Sequence, residues 1–217
     1  MKRYLRNFSN HSSYTSYINS QDAILPNVSH CDEEDEVHYN PYVDPSGGHA
    51  FVEIGGIKWA TMNIGAESVT DYGNYYQYGK GADTYQQTSS GTDYSGLEDP
   101  LAISADTAAQ VWGGSWRMPT LSDFQALIDN TDYEYVTIDG VNGGKFTDKT
   151  DNSKYVFFPA AGFLDYNGSN FVGTSGVFWS GTPYDSSKAY NFGFSRYSFG
   201  PNQDYRFAGL TVRAVLG

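Results

Sequence analysis

Phe178-Trp179-Ser180-Gly181, Ala189-Tyr190-Asn191-Phe192-Gly193-Phe194 and Gly209-Leu210-Thr211-Val212-Arg213-Ala214-Val215 are three stiff apolar runs near the end of the chain. Aromatic and β-branched side chains at this density favour strands. Along 190–195 the side chains alternate, which predicts Phe192 and Phe194 on the core side and Asn191, Gly193 and Ser195 on the other. Phe178 and Trp179 are expected in the core as well. Between these anchors stand Tyr, Ser, Asn, Asp and Arg residues, a composition that suits contact better than packing. The candidate binding residues are Tyr184, Asp185, Ser186, Asn191, Ser195, Arg196, Tyr197, Phe199, Tyr205 and Phe207, expected on one outer face that continues through the turn after Ser195. Tyr offers a large amphipathic contact area at low entropic cost, and Arg can fork onto a carboxylate or stack on a ring.

Composition bounds the rest. A chain of 217 residues, 39% hydrophobic, has room for one fair-sized core and an appendage. With 19 Tyr, 24 Gly and only 3 Met, it reads as strands, tight turns and contact surface, not as a helical bundle. The formal net charge of -12 argues against a phosphate-tracking surface, so nucleic acid is not an expected partner. Asp32-Glu33-Glu34-Asp35-Glu36 reads as a solvated turn, because it lacks the spaced carboxylates and the Gly of a calcium loop. Cys31 is the single cysteine and cannot form an internal disulfide, and no zinc ligand set is visible. No cofactor or metal is therefore expected. The N-terminus is basic but continues into polar residues where a signal peptide needs an apolar run, and no membrane span is visible.

Two regions separate along the chain. Residues 1–48 form an expected attachment or assembly module: a strand at Tyr4 to Phe8, a short helix near Ser12 to Ile18, a hairpin flanking the acidic turn, and a linker through Pro41, Pro45 and Gly48. It is too small to bury a core alone. Residues 49–217 open with a hairpin around Gly55-Gly56, a pair that meets the positive φ of a type I′ turn. An irregular surface loop is expected from about Asp71 to Asp99. Helices are predicted over 105–112, stopped by Gly113-Gly114, and over 121–130, with Thr120 as N-cap and Asp123 three residues later. Strands are predicted over 135–138, 144–147, 154–158, 176–180, 189–195 and 210–215. Asp165-Tyr166-Asn167-Gly168 reads as a hairpin turn in preference to a metal loop. The class is α+β, strand- and loop-rich with two short helices. His11, His30, His38 and His49 all lie in the first 49 residues, so none accompanies a Ser nucleophile later in the chain. No spacing of carboxylates singles out an acid and a base either, and the chain is not expected to be an enzyme.

The order of Gly55-Gly56-Ile57-Lys58-Trp59-Ala60-Thr61-Met62-Asn63-Ile64-Gly65, Trp116-Arg117-Met118-Pro119-Thr120, Phe158-Pro159-Ala160-Ala161-Gly162, Phe178-Trp179-Ser180 and the terminal Gly-Leu-Thr-Val-Arg-Ala-Val resembles the Fibrobacter succinogenes major paralogous domain family. That family is similar to the formylglycine-generating-enzyme branch of the C-type lectin fold. The resemblance covers roughly residues 49–217 and implies a C-type-lectin-like domain. The calcium motifs of sugar-binding C-type lectins and the cysteine chemistry of the formylglycine-generating relatives are both missing from the matching region. The segment from about 178 to 217 also resembles the variable region of a diversity-generating retroelement target, rewritten at adenines. Asn codons rewritten in this way yield Asn, Tyr, Asp, Ser, Phe, Gly, Arg and several others, Thr, Pro and Ala among them, but never Lys, Gln, Trp or Met. The window from Thr182 to Ala208 fits that set except at Lys188 and Gln203.

Leu25-Pro26-Asn27-Val28-Ser29 and Val37-His38-Tyr39-Asn40-Pro41 resemble a leader on structural proteins of gut phages. Together the resemblances imply a phage or mobile-element display protein that reaches a virion or particle surface after cytoplasmic synthesis. Its implied ligand is a cell-surface protein or glycan, and a homo-oligomer such as a trimer would raise weak affinity through multivalency. A structural virion or pilus component is the alternative.

Overall fold

The computed structural model describes residues 42–43, 48–86, 99 and 101–217. The elements expected within the first 41 residues, the linker at 44–47 and part of the 71–99 loop lie outside the described residues. Strand β1 (Tyr42–Val43) precedes the hairpin of β2 (Ala50–Ile54) and β3 (Ile57–Ala60). Its turn places Gly55 at φ 59° and Gly56 at φ 78°, which side chains with a Cβ rarely adopt. Helix α1 (Thr107–Val111), β4 (Trp116–Arg117) and helix α2 (Leu121–Asn130) follow. Next come the meander of β5 (Thr131–Ile138), β6 (Val141–Asp148) and β7 (Tyr155–Pro159) and the small hairpin of β8 (Phe163–Asp165) and β9 (Gly168–Asn170). A second meander of β10 (Ser175–Pro183), β11 (Lys188–Ser195) and β12 (Phe199–Tyr205) leads to β13 (Val215–Leu216). Strands predominate, and the architecture is α+β.

Both helices begin on residues that satisfy orphan backbone donors. Asp106 caps α1 by accepting from Ala109 N at 2.9 Å, and both its oxygens also accept from Met118 N at 2.9 and 3.1 Å. The buried carboxyl is pushed above the ordinary carboxylate range by desolvation, which these amide donors oppose. Thr120 and Asp123 form a reciprocal capping box at α2, and Arg117 Nη1 donates to Asp123 at 2.6 Å. Desolvation would raise the Asp123 carboxyl, but the hydrogen bonds from Arg117 and Thr120 outweigh it and hold the group below its ordinary value.

The last strand closes the first sheet, whose order is β1-β2-β3-β13-β4, so it lies between the opening β2–β3 hairpin and β4. The β10-β11-β12 sheet is a wall between two cores. Phe178, Phe192 and Phe194 enter one core with Trp59, Phe124, Phe146 and Phe158. Trp179 and Ala189 enter the other with Tyr76, Tyr78, Leu210 and Val212. Phe124 stacks on Phe192 at 4.8 Å, and Phe158 meets Phe178 edge to face at 5.0 Å. Each fully buried Phe stabilises the fold by about 2 to 3 kcal/mol.

Two expectations are corrected here. The segment 210–215 is not one strand: Tyr76 N donates to Leu210 O at 2.9 Å, Trp179 N to Thr211 O at 3.0 Å, Ile64 N to Val212 O at 3.0 Å and Ala60 N to Ala214 O at 2.9 Å. Its apolar run threads between elements and bonds to each in turn, and only its end enters a ladder. The described part of the 71–99 loop is irregular but not superficial, because Tyr76 is 2% exposed and Tyr78 fully buried. Trp179 Nε1 donates to Tyr76 O at 2.8 Å and the Tyr78 hydroxyl donates to Gly181 O at 3.0 Å, so the loop packs as core.

Arg213 is fully buried, and among the described residues no carboxylate bonds to it. Its guanidinium donates to Asn63 Oδ1, Ala60 O and Phe157 O, each at 2.9 Å, and lies 4.8 Å from the Phe158 ring centroid. Substituting Arg213→Met keeps the stem but strands three buried acceptors, each costing about 1 to 3 kcal/mol. The expected loss in urea unfolding is at least about 3 kcal/mol. A loss below about 1 kcal/mol would show that water or rearrangement replaces the bonds.

Candidate ligand-binding surface

The β10–β12 meander carries every candidate residue, on its strands or in the segments that join and follow them, and its turns decide where those residues lie. At the β10–β11 turn, Asp185 Oδ1 accepts from Ser187 N at 2.7 Å, the Ser187 hydroxyl at 2.9 Å and Lys188 N at 2.7 Å. The hydrogen bonds from Ser187 and Lys188 hold this exposed carboxyl below its ordinary range. Asp185 thus builds the turn that presents Tyr184 and Ser186. Tyr184 is 48% exposed and meets Tyr190 edge to face at 5.2 Å. Lys188 pairs with Tyr205 across β11–β12, and its ammonium lies 5.0 Å from the Tyr205 ring centroid. Tyr205 in turn stacks on Phe207 at 5.2 Å.

At the opposite end, Ser195 N donates to Ser198 O at 2.7 Å and closes the β11–β12 turn. Tyr197 stands at its tip with 91% of its surface exposed. The Arg196 guanidinium lies 4.9 Å from the Tyr135 ring centroid, and the Tyr133 hydroxyl donates to Ser195 O at 2.5 Å. Phe199 is 40% exposed yet packs on Tyr133 at 4.4 Å.

The ten candidates therefore do not form the single continuous face expected of them. Tyr184, Asp185, Ser186, Tyr205 and Phe207 gather at one end of β11, and Ser195, Arg196, Tyr197 and Phe199 at the other. Seven residue steps from Lys188 to Ser195 separate the ends by roughly 23 Å. Arg206, one of the arginines in the polar stretch between the apolar runs, is buried. It donates to Lys188 O at 3.0 Å and to Asp185 O, and its guanidinium lies 5.2 Å from the Tyr78 ring centroid.

Asn191 is the instructive departure. Its strand face is the expected one, opposite Phe192 and shared with Gly193 and Ser195, but only 1% of its surface is exposed. The β8–β9 hairpin lies beside this part of the sheet: just before it, Gly162 N donates to Ser175 O of β10 at 2.7 Å, and within it Leu164 N donates to Gly209 O, in the segment that follows β12, at 2.8 Å. Gly162 (φ 61°) has to be Gly, since a Cβ there would overlap the Asn170 carbonyl. Between hairpin and sheet runs a groove of about 400 Å³ lined by Phe163, Phe171, Val177, Asn191, Asn202 and Asp204, among others. Asn191 Oδ1 is buried there without a hydrogen-bond partner.

Neither Phe163 nor Phe171 is among the expected site residues, and no strand is expected over 199–205, where the structure has β12 running through Gly200-Pro201. Asp204 accepts a hydrogen bond from Tyr205 N at 3.0 Å. Desolvation, opposed by that bond and by Lys188, pushes its carboxyl above the ordinary value. Among the described residues no group of three His, Cys, Asp or Glu side chains converges as a metal site would, and no helix is long and apolar enough to cross a membrane.

Residues 130–215 match the family described as Domain of unknown function (DUF8237), a span that includes both meanders, the groove and Arg213. Comparison with curated proteins and with solved structures gives no match.

Because the Asn191 carbonyl oxygen bonds to nothing, an apolar side chain of similar shape should fit without loss. Asn191→Leu is expected to leave stability unchanged or raise it by up to about 1 kcal/mol in thermal or urea unfolding. A loss above about 2 kcal/mol would make Asn191 an architectural residue.

Proposed function

We propose that this chain is a non-enzymatic ligand-binding display protein of C-type-lectin-like fold, carried on a phage or related particle, whose C-terminal meander engages a protein or glycan on a cell surface. One observation carries the reading. Of the nine exposed large hydrophobic side chains among the described residues, all but Ile103 and Val111 fall between Tyr166 and Tyr205. Exposed aromatics at both ends of one sheet offer contact points to a partner large enough to span it, and Tyr is a residue well suited to such contacts. The pairing of β13 with β3 of the opening hairpin supports the fold assignment.

The division of labour along 178–213 supports exchangeable contacts. Phe178, Trp179, Phe192, Arg206 and Arg213 are buried, whereas Tyr184, Ser186, Arg196, Tyr197 and Tyr205 are exposed. Substitution at the exposed positions leaves both cores intact, which is what adenine-directed rewriting would require. A homo-oligomer would supply avidity to a weak single site.

The two ends of the sheet can be tested separately. The double variants Tyr184→Ala/Tyr205→Ala and Arg196→Ala/Tyr197→Ala are expected to melt like the parent. At least one should bind host cells ten-fold or more weakly, as hot-spot residues do. Unchanged cell binding in both would favour a structural virion or pilus component, and loss of folding in both would make these residues architecture.

A further inference from the structure

A strand at the edge of a sheet presents backbone N–H and C=O groups that pair with another chain unless something stops them. Among the described residues, β5, β7, β10 and β12 are the edge strands longer than three residues, and three of them are interrupted. On β10, Ser175 O and Val177 O accept from Gly162 N and the Thr211 hydroxyl, and Trp179 N donates to Thr211 O. On β7, Phe157 O accepts from Arg213, Pro159 O accepts from Ala161 N, and Pro159 has no N–H to offer. On β12, the bonds from Ser195 N to Ser198 O and from Arg206 N to Ser187 O turn the even-numbered residues toward β11. Phe199, Pro201, Gln203 and Tyr205 therefore point outward. Pro201 lacks a donor, while Gln203 N and Tyr205 N donate to the Asn202 and Asp204 side chains at 2.8 and 3.0 Å.

The edge of β5 has none of these devices. Asn142 O accepts from Ala160 N and Asp148 N donates to Lys154 O, so the even-numbered residues of β6 bond to β7 and the odd-numbered ones to β5. With Ile138 opposite Val141, the even-numbered residues of β5 bond inward, and Tyr133, Tyr135 and Thr137 hold their N–H and C=O groups outward. None of these backbone groups has a partner among the described residues. The strand runs its eight residues without Pro, Gly or a break in register.

We infer that β5 pairs antiparallel with β5 of a second copy of this chain, about a two-fold axis through Tyr135. The strand is complementary to itself in this register. Tyr135 meets Tyr135 and Tyr133 meets Thr137, so every outward group finds an outward group. The exposed carboxylates of Asp132 and Glu134 then stand opposite Ile138 and Val136, and no like charges face each other. Centring the axis on Tyr133 or Glu134 would set carboxylate against carboxylate, and centring it on Val136 would leave Tyr133 unpaired. A single strand pair is a small interface, so the association is weak and reversible. The net charge of -12 on each copy opposes it, and added salt strengthens it, whereas salt would weaken the docking of a basic foreign strand. Pairing joins two three-stranded sheets into one and sets the Arg196–Tyr135 stacks of both copies on the same face, which doubles the contact cluster at that end of the meander. The dimer stands whether or not that cluster binds a cell.

The test follows the mass of the full chain by sedimentation equilibrium over about a hundred-fold range of concentration. Thr137→Pro removes an outward N–H, twice per dimer, without touching the β6 ladder, and is expected to weaken association by about ten-fold or more. Val136 faces Glu134 of the second copy, so Val136→Lys should tighten the dimer and Val136→Glu loosen it, each by about five-fold or more because the contact occurs twice. Asn152→Lys and Asn152→Glu, at an exposed position between β6 and β7, make the same changes of net charge and should each shift association less than about two-fold. If Thr137→Pro melts below the parent, the Val136 pair decides. A chain that is monomeric throughout, an association that neither Val136 variant shifts, weakening by both Val136 variants, or equal shifts from the Asn152 pair overturns the inference.

Discussion

A guanidinium buried among neutral acceptors is the constraint on which the rest of this structure depends. Taking Arg213 out of water is costly, and burial brings its pKa down to about 9, so it stays charged at neutral pH. That cost is offset only if its donors are satisfied, which requires Ala60, Asn63 and Phe157 to converge from β3, the loop after it and β7. Once they converge, the 209–215 segment must thread between the sheets. There its backbone accepts from Tyr76, Trp179, Ile64 and Ala60, and the β10–β12 wall gains a fixed neighbour on each side.

A wall with a core on both faces explains how a thin meander can present two remote clusters of exposed aromatics without collapsing onto them. Phe192 stacks on Phe124 on one side, while Trp179 donates its indole N–H to Tyr76 on the other. At each end one exposed ring rests on a partly buried one, Tyr184 on Tyr190 and Phe199 on Tyr133, so these two have little side-chain freedom to lose on binding. The groove between them exists because the β8–β9 hairpin is held beside the sheet by backbone bonds while the sheet face along it carries Gly193 and Gly200 in place of bulkier residues.

What could be read directly from the residues was local. Gly55-Gly56 specified its turn because of positive φ, Thr120 with Asp123 specified a helix start because a capping box needs only that spacing, and Phe192 with Phe194 specified a core face by alternation. What could not be read was decided at long range. Asn191 obeys the alternation but is buried beside a hairpin distant in sequence, and Tyr76 and Tyr78 look like loop tyrosines until the C-terminal segment packs on them. Gly200-Pro201 lies inside β12, where ladder pairing to β11 overrides its turn preference. Arg206 carries the same sequence signal as Arg196, yet the first holds the frame and the second lies on the surface. No pattern within the chain separates them, because burial is settled by the elements that converge around each one.

The most direct measurement compares two libraries by protease resistance of the displayed protein. One randomises Tyr184, Ser186, Arg196, Tyr197, Asn202 and Tyr205 together, and the other randomises Trp179, Phe178, Phe192, Phe194, Arg206 and Arg213. The account predicts that most members of the first library resist proteolysis like the parent and that almost none of the second do. Comparable collapse of the first library would contradict a rigid frame carrying exchangeable contacts.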